Sequence, residues 1–65
     1  MIYTNNKPIK WYKGITISAI LKELEDDYPY AAAYTNKKVI TMLDFDTYEV
    51  PDHAELRFIP LVVGG

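Results

Sequence analysis

The sequence contains no cysteine among its 65 residues. This absence excludes disulfide bonds, metal sites built from thiolates and a catalytic thiol on this chain. Small secreted domains usually depend on disulfides, because a short chain buries little of its surface. We therefore expect a cytoplasmic protein that folds as a single domain over residues 1–65.

Long apolar runs and an excess of positive charge are also missing. No run approaches the roughly 20 apolar residues of a membrane helix, and residues 1–5 lack the basic start of a signal peptide. The formal net charge is −2, whereas a nucleic-acid-binding protein normally presents a basic face. We expect neither a membrane nor a nucleic acid as partner.

Sequence patterns typical of catalytic or metal-binding sites are missing. The single histidine, His53, falls in a predicted turn, and the spacing of Asp44, Asp46 and Asp52 matches no calcium-binding loop. No nucleophile–base pair and no phosphate-binding glycine loop is recognisable. The pattern predicts a protein that is not an enzyme and that permanently binds no metal or cofactor.

The spacing of apolar residues predicts one helix after a short hairpin. The hairpin joins strands near residues 1–3 and 8–12 through a turn at Asn5–Asn6. The helix is capped by Thr16 or Ser18 and ends before Pro29. One face of this helix carries an apolar stripe, made of Ile17, Ile20, Leu21, Leu24 and Tyr28.

The second half of the chain is predicted to form three strands. Residues 30–35 and 39–41 flank a turn at Asn36, and residues 55–59 alternate, with Leu56 and Phe58 facing the core. Pro60 is expected to interrupt the ladder, so that residues 60–65 form an extended, flexible tail. The aromatic residues expected in or at the edge of the core are Trp11, Tyr12, Tyr28 and Phe58.

This order of elements predicts an α+β fold. A single helix buries its apolar stripe most simply against one face of a mixed sheet of four or five strands. The order is compatible with a β-grasp, in which the first and last strands lie parallel at the centre of the sheet.

Two of the three glycines, Gly64 and Gly65, end the chain in the tail that follows the last predicted strand. A terminal carboxylate becomes an acyl donor when ATP adenylates it, and a sulfur nucleophile then attacks the acyl-adenylate. Glycine lacks a Cβ, so such a terminus fits a narrow channel that leads to a bound nucleotide. Some of the apolar residues before it are expected to be exposed and to contact the partner, with Leu61, Val62 and Val63 as candidates.

With this tail in place, the whole chain resembles the ThiS family of sulfur carriers and, more broadly, the MoaD and ubiquitin-like β-grasp proteins. The similar segments are the helix opening at residues 14–24, the strand–turn–strand at residues 32–40 and the last strand with its tail at residues 56–65. The resemblance implies a ubiquitin-like β-grasp fold. His53–Ala54 stands where the family often has Gly-Asp.

The resemblance also implies a function. A ThiF/MoeB-like adenylyltransferase would use ATP to adenylate Gly65, and a sulfur donor such as a cysteine desulfurase would convert it to a thiocarboxylate. A ThiG-like thiazole synthase would then take the sulfur for the thiazole of thiamin. The alternatives are a MoaD-type carrier for molybdopterin, another sulfur route, a ubiquitin-like modifier conjugated through Gly65, and a plain binding module whose terminal glycines are accidental.

Overall fold

The computed structural model describes residues 1–4, 7–25 and 30–60. Its elements, in chain order, are strand β1 (Tyr3–Thr4), helix α1 (Ile17–Leu24), strands β2 (Tyr30–Thr35) and β3 (Lys38–Thr41), a 3₁₀ turn (Met42–Asp44) and strand β4 (Glu55–Pro60). The α+β class expected from the sequence is confirmed.

The strands form one mixed sheet in the order β1-β4-β2-β3. Strand β4 runs parallel to β1 on one side and antiparallel to β2 on the other. The first and last strands are therefore parallel neighbours, as predicted. The expectation that both lie at the centre is wrong for β1, which forms an edge of the described sheet, whereas β4 lies inside it.

The first predicted hairpin is reduced to one pair of residues. Ile2 and Ile9 exchange backbone hydrogen bonds of 2.7 and 2.8 Å as an isolated antiparallel bridge. The prediction of a second strand over residues 8–12 is otherwise wrong, because the chain leaves the sheet after this pair. The Trp11 indole N–H instead donates to the Val50 carbonyl at 2.8 Å. The predicted turn at Asn5–Asn6 lies outside the described residues.

Thr16 caps the start of α1, which decides between the two candidates. Its backbone is extended, and its hydroxyl accepts a hydrogen bond from the Ala19 N–H at 3.3 Å. The hydroxyl of the other candidate, Ser18, donates to the Asp46 carboxylate. The helix ends at Leu24, because Glu25 adopts a left-handed conformation with φ 55° and its N–H bonds the carbonyls of Leu21 and Lys22.

The core lies between α1 and one face of the sheet. Ile17 and Ile20 supply the buried part of the helix, whereas Leu21 and Leu24 pack at its margin. The buried residues that pack together are Ile2, Ile9, Ile15, Ile17, Ile20, Ala33, Ile40, Phe45, Val50, Ala54, Leu56 and Phe58. The inward orientation of Leu56 and Phe58 is thus confirmed.

The aromatic predictions are confirmed only in part. Phe58 is buried and Trp11 is half-buried, but the prediction for Tyr12 is wrong, because its side chain is exposed at the turn that follows Ile9. Tyr30 stacks on Phe58 with ring centroids 4.9 Å apart. A register shift between Tyr30 and Ala32 gives Tyr30 this inward position. Tyr28 lies outside the described residues.

Pro60 belongs to the sheet rather than to a tail. It is the last residue of β4 and pairs with Tyr30 of β2, so the expectation that it interrupts the ladder is wrong. A proline at the end of a strand lacks a donor but keeps its carbonyl. Residues 61–65 lie outside the described part of the chain, and the tail itself stays a prediction.

Thr35 is the one polar residue in the buried set of the described chain, and its hydroxyl has no hydrogen-bond partner there. A buried hydroxyl without a partner destabilises the folded state. We expect Thr35→Val, which keeps the shape and removes the hydroxyl, to raise the free energy of unfolding by about 1 kcal/mol. Urea unfolding checks this value.

Thr47→Val is the matched control for that change, because Thr47 is exposed and its hydroxyl donates to the Asp44 carbonyl. We expect it to leave stability within about 0.5 kcal/mol or slightly lower it. Equal effects of the two substitutions would show that burial of the Thr35 hydroxyl carries no cost.

Hydrogen bonds to Asp52 hold the start of the chain beside β4. Its carboxylate accepts hydrogen bonds at 2.8 Å from the Met1 amino group and from the His53 N–H. The His53 N–H also donates to the Met1 carbonyl, and the Tyr3 N–H donates to the Ala54 carbonyl. These bonds align β1 with the beginning of β4.

The hydrogen bond from the Met1 amino group, helped by the His53 N–H, lowers the pKa of Asp52 below its ordinary value of 3.8. The folded state therefore favours the ionised carboxylate. Its stabilisation is complete above pH 3.8 and is lost as the pH falls through the lowered pKa. We expect Asp52→Asn to lower the melting temperature at pH 6 and to match the wild type in strong acid. A difference that persists unchanged in strong acid would contradict this account.

Candidate functional site

The candidate site lies where β4 leads into the end of the chain. The residues predicted to carry it, Gly64 and Gly65, lie outside the described residues, as do Leu61, Val62 and Val63. What the structure describes is the surface from which they continue. Because β4 lies between β1 and β2, the terminal segment leaves from an inner strand of the sheet.

The face of the sheet opposite α1 carries exposed side chains from all four strands. Leu56 and Phe58 point into the core, so the alternate residues Arg57 and Ile59 point outward. We call the outer sheet face the set of Tyr3, Tyr34, Val39, Arg57 and Ile59.

Strand register brings these residues together. Tyr34 of β2 pairs with Arg57 on one side and with Val39 of β3 on the other. Directly opposite side chains on one face of a sheet are in contact range. The apolar and tyrosine members of the outer sheet face are each between 39% and 59% exposed.

Arg57 is the cation at the centre of this face. Within residues 1–4, 7–25 and 30–60, the ion pairs join Asp52 to the Met1 amino group and to His53. The Arg57 guanidinium has no carboxylate partner in that part of the chain. Tyrosine and arginine are the residue types that most often anchor protein interfaces, so the composition is typical of a docking surface.

A shallow groove of about 170 Å³ lies beside Arg57, lined by Tyr3, Thr4, Glu55, Leu56 and Arg57. Sites for small molecules usually enclose about 300–1,000 Å³. The groove is too small and open for such a ligand, which favours a protein as the partner of this face.

Other kinds of site find little support in the residues described. His53 is a surface residue in the turn before β4, as expected. Among the described residues, no three histidine, cysteine or acidic side chains group to hold a metal ion. No helix in that part of the chain has the length and apolarity to cross a bilayer.

A mixed sheet with parallel first and last strands and one helix on one face is the arrangement of a ubiquitin-like β-grasp. The family model of the ThiS family matches residues 2–65, and the chain belongs to this family. Members of the family are small sulfur carriers, rather than enzymes, that act with an adenylyltransferase and sulfur-transfer partners. A search of curated proteins found no match.

The sequence alone did not indicate that Tyr34, Val39 and Arg57 form one surface. Each is an outward position on a different strand, and only the pairing register brings them together. The available signal was the presence of large apolar or aromatic residues at strand positions that alternation assigns to solvent.

Proposed function

We propose that the carboxylate of Gly65 is adenylated and converted to a thiocarboxylate, which donates sulfur to the thiazole of thiamin. One observation carries the proposal: the ThiS family match extends through residue 65. The terminal glycines therefore belong to the part of the chain that is similar to the family.

The reaction proceeds in two balanced steps. The Gly65 carboxylate attacks the α-phosphorus of ATP, forming an acyl-adenylate and releasing pyrophosphate. A hydrosulfide ion then attacks the acyl carbon, the C–O bond to AMP breaks, and a proton is released as the thiocarboxylate forms. No oxidation state changes when sulfide is the donor.

In the cytoplasm, we propose that a cysteine desulfurase supplies the sulfur as a persulfide. The outer sulfur of the persulfide attacks the acyl carbon and releases AMP, and a thiol then reduces the resulting acyl disulfide, so that the thiocarboxylate leaves and the thiol is oxidised to a disulfide. A ThiG-like thiazole synthase accepts the sulfur from the thiocarboxylate.

The two glycines suit this chemistry because they carry no side chains. The acyl carbon of Gly65 is open to the attacking sulfur, and the backbone at Gly64 passes close to the walls of an enzyme channel. The chain itself supplies the acyl group, and a ThiF-like adenylyltransferase supplies the nucleotide site and the catalytic groups. ATP is therefore a substrate of that enzyme and not a resident cofactor of the carrier.

We assign the outer sheet face as the surface that docks on the adenylyltransferase. Two of its members, Arg57 and Ile59, lie on β4, the strand that leads to residue 61, so docking there directs the terminus toward one place on the enzyme. Arg57, which has no carboxylate partner among the described residues, fits an acidic side chain on the partner. The apolar members around it exclude water from that pair.

Arg57→Ala tests this assignment. We expect the KM for the carrier in the adenylation reaction to rise about tenfold or more, because a charged anchor is lost, while kcat changes little. Lys10→Ala, an exposed cation outside the outer sheet face, is the matched control and should leave KM unchanged. An unchanged KM for Arg57→Ala would place the docking surface elsewhere.

Sulfur loading tests the function itself. The protein is incubated with ATP, a ThiF-like adenylyltransferase and sulfide, and its intact mass is recorded. Replacement of one oxygen by sulfur adds about 16 Da, the nominal mass that methionine oxidation also adds, so a reaction without ATP serves as control. An increase only with ATP supports the proposal; no increase contradicts it.

Further substrates distinguish the alternatives. The loaded carrier is presented to a thiazole synthase and, separately, to a molybdopterin synthase partner. Sulfur transfer to the first alone supports the thiamin route, and transfer to the second supports a MoaD-type role. A lysine-linked adduct of the carrier in place of sulfur transfer would identify a ubiquitin-like modifier.

A further inference from the structure

Among the described strands, β3 forms one edge of the sheet and pairs with β2 alone. Its turn, Asn36–Lys37, has positive φ at both residues, 51° and 61°, as a type I′ turn requires. In such a turn the fourth residue, Lys38, donates its N–H to the carbonyl of the first, Thr35. The backbone N–H of Lys38 therefore points toward β2.

The register fixes which groups point outward. Hydrogen-bonded and non-bonded pairs alternate along an antiparallel ladder, so Lys38 and Ile40 bond to β2 while Val39 and Thr41 do not. The N–H and carbonyl groups of Val39 and Thr41 thus face away from the sheet. No backbone bond outside the ladder uses them in the described part of the chain.

Exposed apolar side chains continue from this edge into the 3₁₀ turn. Met42 is 56% exposed and Leu43 is 83% exposed. Charge is divided along the same edge: Lys37 and Lys38 lie at its start, and Asp44 follows the apolar pair at its end. One short segment therefore carries a basic end and an apolar, acidic end.

We propose that β3 pairs antiparallel with β3 of a second copy of this chain, about a two-fold axis at Ile40. Val39 of each copy then exchanges two hydrogen bonds with Thr41 of the other, giving four bonds and one eight-stranded sheet. A two-fold interface must be self-complementary, and this edge is. The pairing sets Lys37 and Lys38 of one copy beside Met42, Leu43 and Asp44 of the other.

The contact between the copies combines an apolar interaction with an electrostatic one. The aliphatic stems of the lysines cover the exposed Met42 and Leu43 side chains, and their ammonium groups approach Asp44. The contact is small, because β3 has only four residues, and edge lysines oppose pairing with other strands. We expect a weak dimer, with a Kd of about 0.1–1 mM. The inference does not depend on the proposed function.

Thr41→Pro tests the pairing and is expected to leave the monomer folded. The native φ of Thr41 is −75° and its side chain makes no cap hydrogen bond, so proline fits the backbone. Its ring removes only the outward N–H and blocks the edge. Thr41→Val also loses the hydroxyl but keeps this N–H, and it is the matched control.

Sedimentation velocity and amide NMR are recorded from about 20 µM to about 2 mM protein. We expect the wild type and Thr41→Val to dimerise, with concentration-dependent amide shifts at Val39 and Thr41, and Thr41→Pro to bind itself at least about tenfold more weakly. A monomeric wild type at about 2 mM, or a Thr41→Pro dimer of wild-type strength, overturns the inference.

If Thr41→Pro does not fold, exchanging the charges of Lys38 and Asp44 provides a second test of the dimer. Lys38→Glu alone should weaken the dimer, and adding Asp44→Lys to it should restore most of the affinity, because the opposite charges again meet across the axis. Failure of the second change to restore any affinity overturns the proposed register.

Discussion

A chain shortened by one residue, ending at Gly64, is expected to accept no detectable sulfur in the loading reaction. Removal of Gly65 draws the terminal carboxylate back by about 3.5 Å. Attack on the α-phosphorus needs the reacting atoms about 3–3.5 Å apart, and a misplacement of 1 Å already costs about a hundredfold. The expected loss therefore exceeds the range of an ordinary assay.

A chain lengthened by one glycine tests whether the position of the carboxylate, and not the loss of a glycine, causes the effect. It keeps both native glycines but moves the carboxylate past the nucleotide, so it should be equally inactive. Circular dichroism and the melting temperature check the folded body, whose buried core runs from Ile2 to Phe58. Full loading of either variant would show that the position of the carboxylate does not matter.

Leu56→Ala is expected to remove a large part of the protein's free energy of unfolding. Leu56 is 2% exposed on β4, between β1 and β2. Truncation of a buried leucine costs about 2–5 kcal/mol, whereas a domain of this length has about 3–10 kcal/mol in total. Chemical denaturation followed by circular dichroism measures the loss.

Leu43→Ala is the matched control, because the same truncation is made at a side chain that is 83% exposed. Its effect on the free energy of unfolding should stay within about 0.5 kcal/mol at low protein concentration. Similar losses for the two leucines would contradict the position of the core described above.

The strongest sequence patterns predicted the elements that the structure contains. The spacing of Ile17, Ile20, Leu21 and Leu24 identified α1, and the alternation around Leu56 and Phe58 identified β4 with its correct inward face. The end of the helix was predicted too late. The apolar stripe appeared to continue to Tyr28, but the left-handed backbone at Glu25 ends the helix, and no glycine marks that position.

Side-chain positions that depend on strand register or on long-range hydrogen bonds could not be predicted from local sequence patterns. A register shift in β2 turns Tyr30 onto Phe58, and the bond from Trp11 to Val50 takes the chain out of the first hairpin and leaves Tyr12 exposed. The same holds for the candidate site. The terminal glycines were recognised from chain position and chemistry, whereas the outer sheet face arises only when the four strands are placed side by side.

Fragmentation mass spectrometry of the loaded protein tests the central claim most directly. The sequence contains two methionines, and oxidation of either adds the same nominal mass of about 16 Da as sulfur does, so the modified residue must be located. We predict that the added mass lies on Gly65 and appears only when ATP, sulfide and the adenylyltransferase are all present. Mass added elsewhere in the chain, with an unmodified Gly65, would contradict the account.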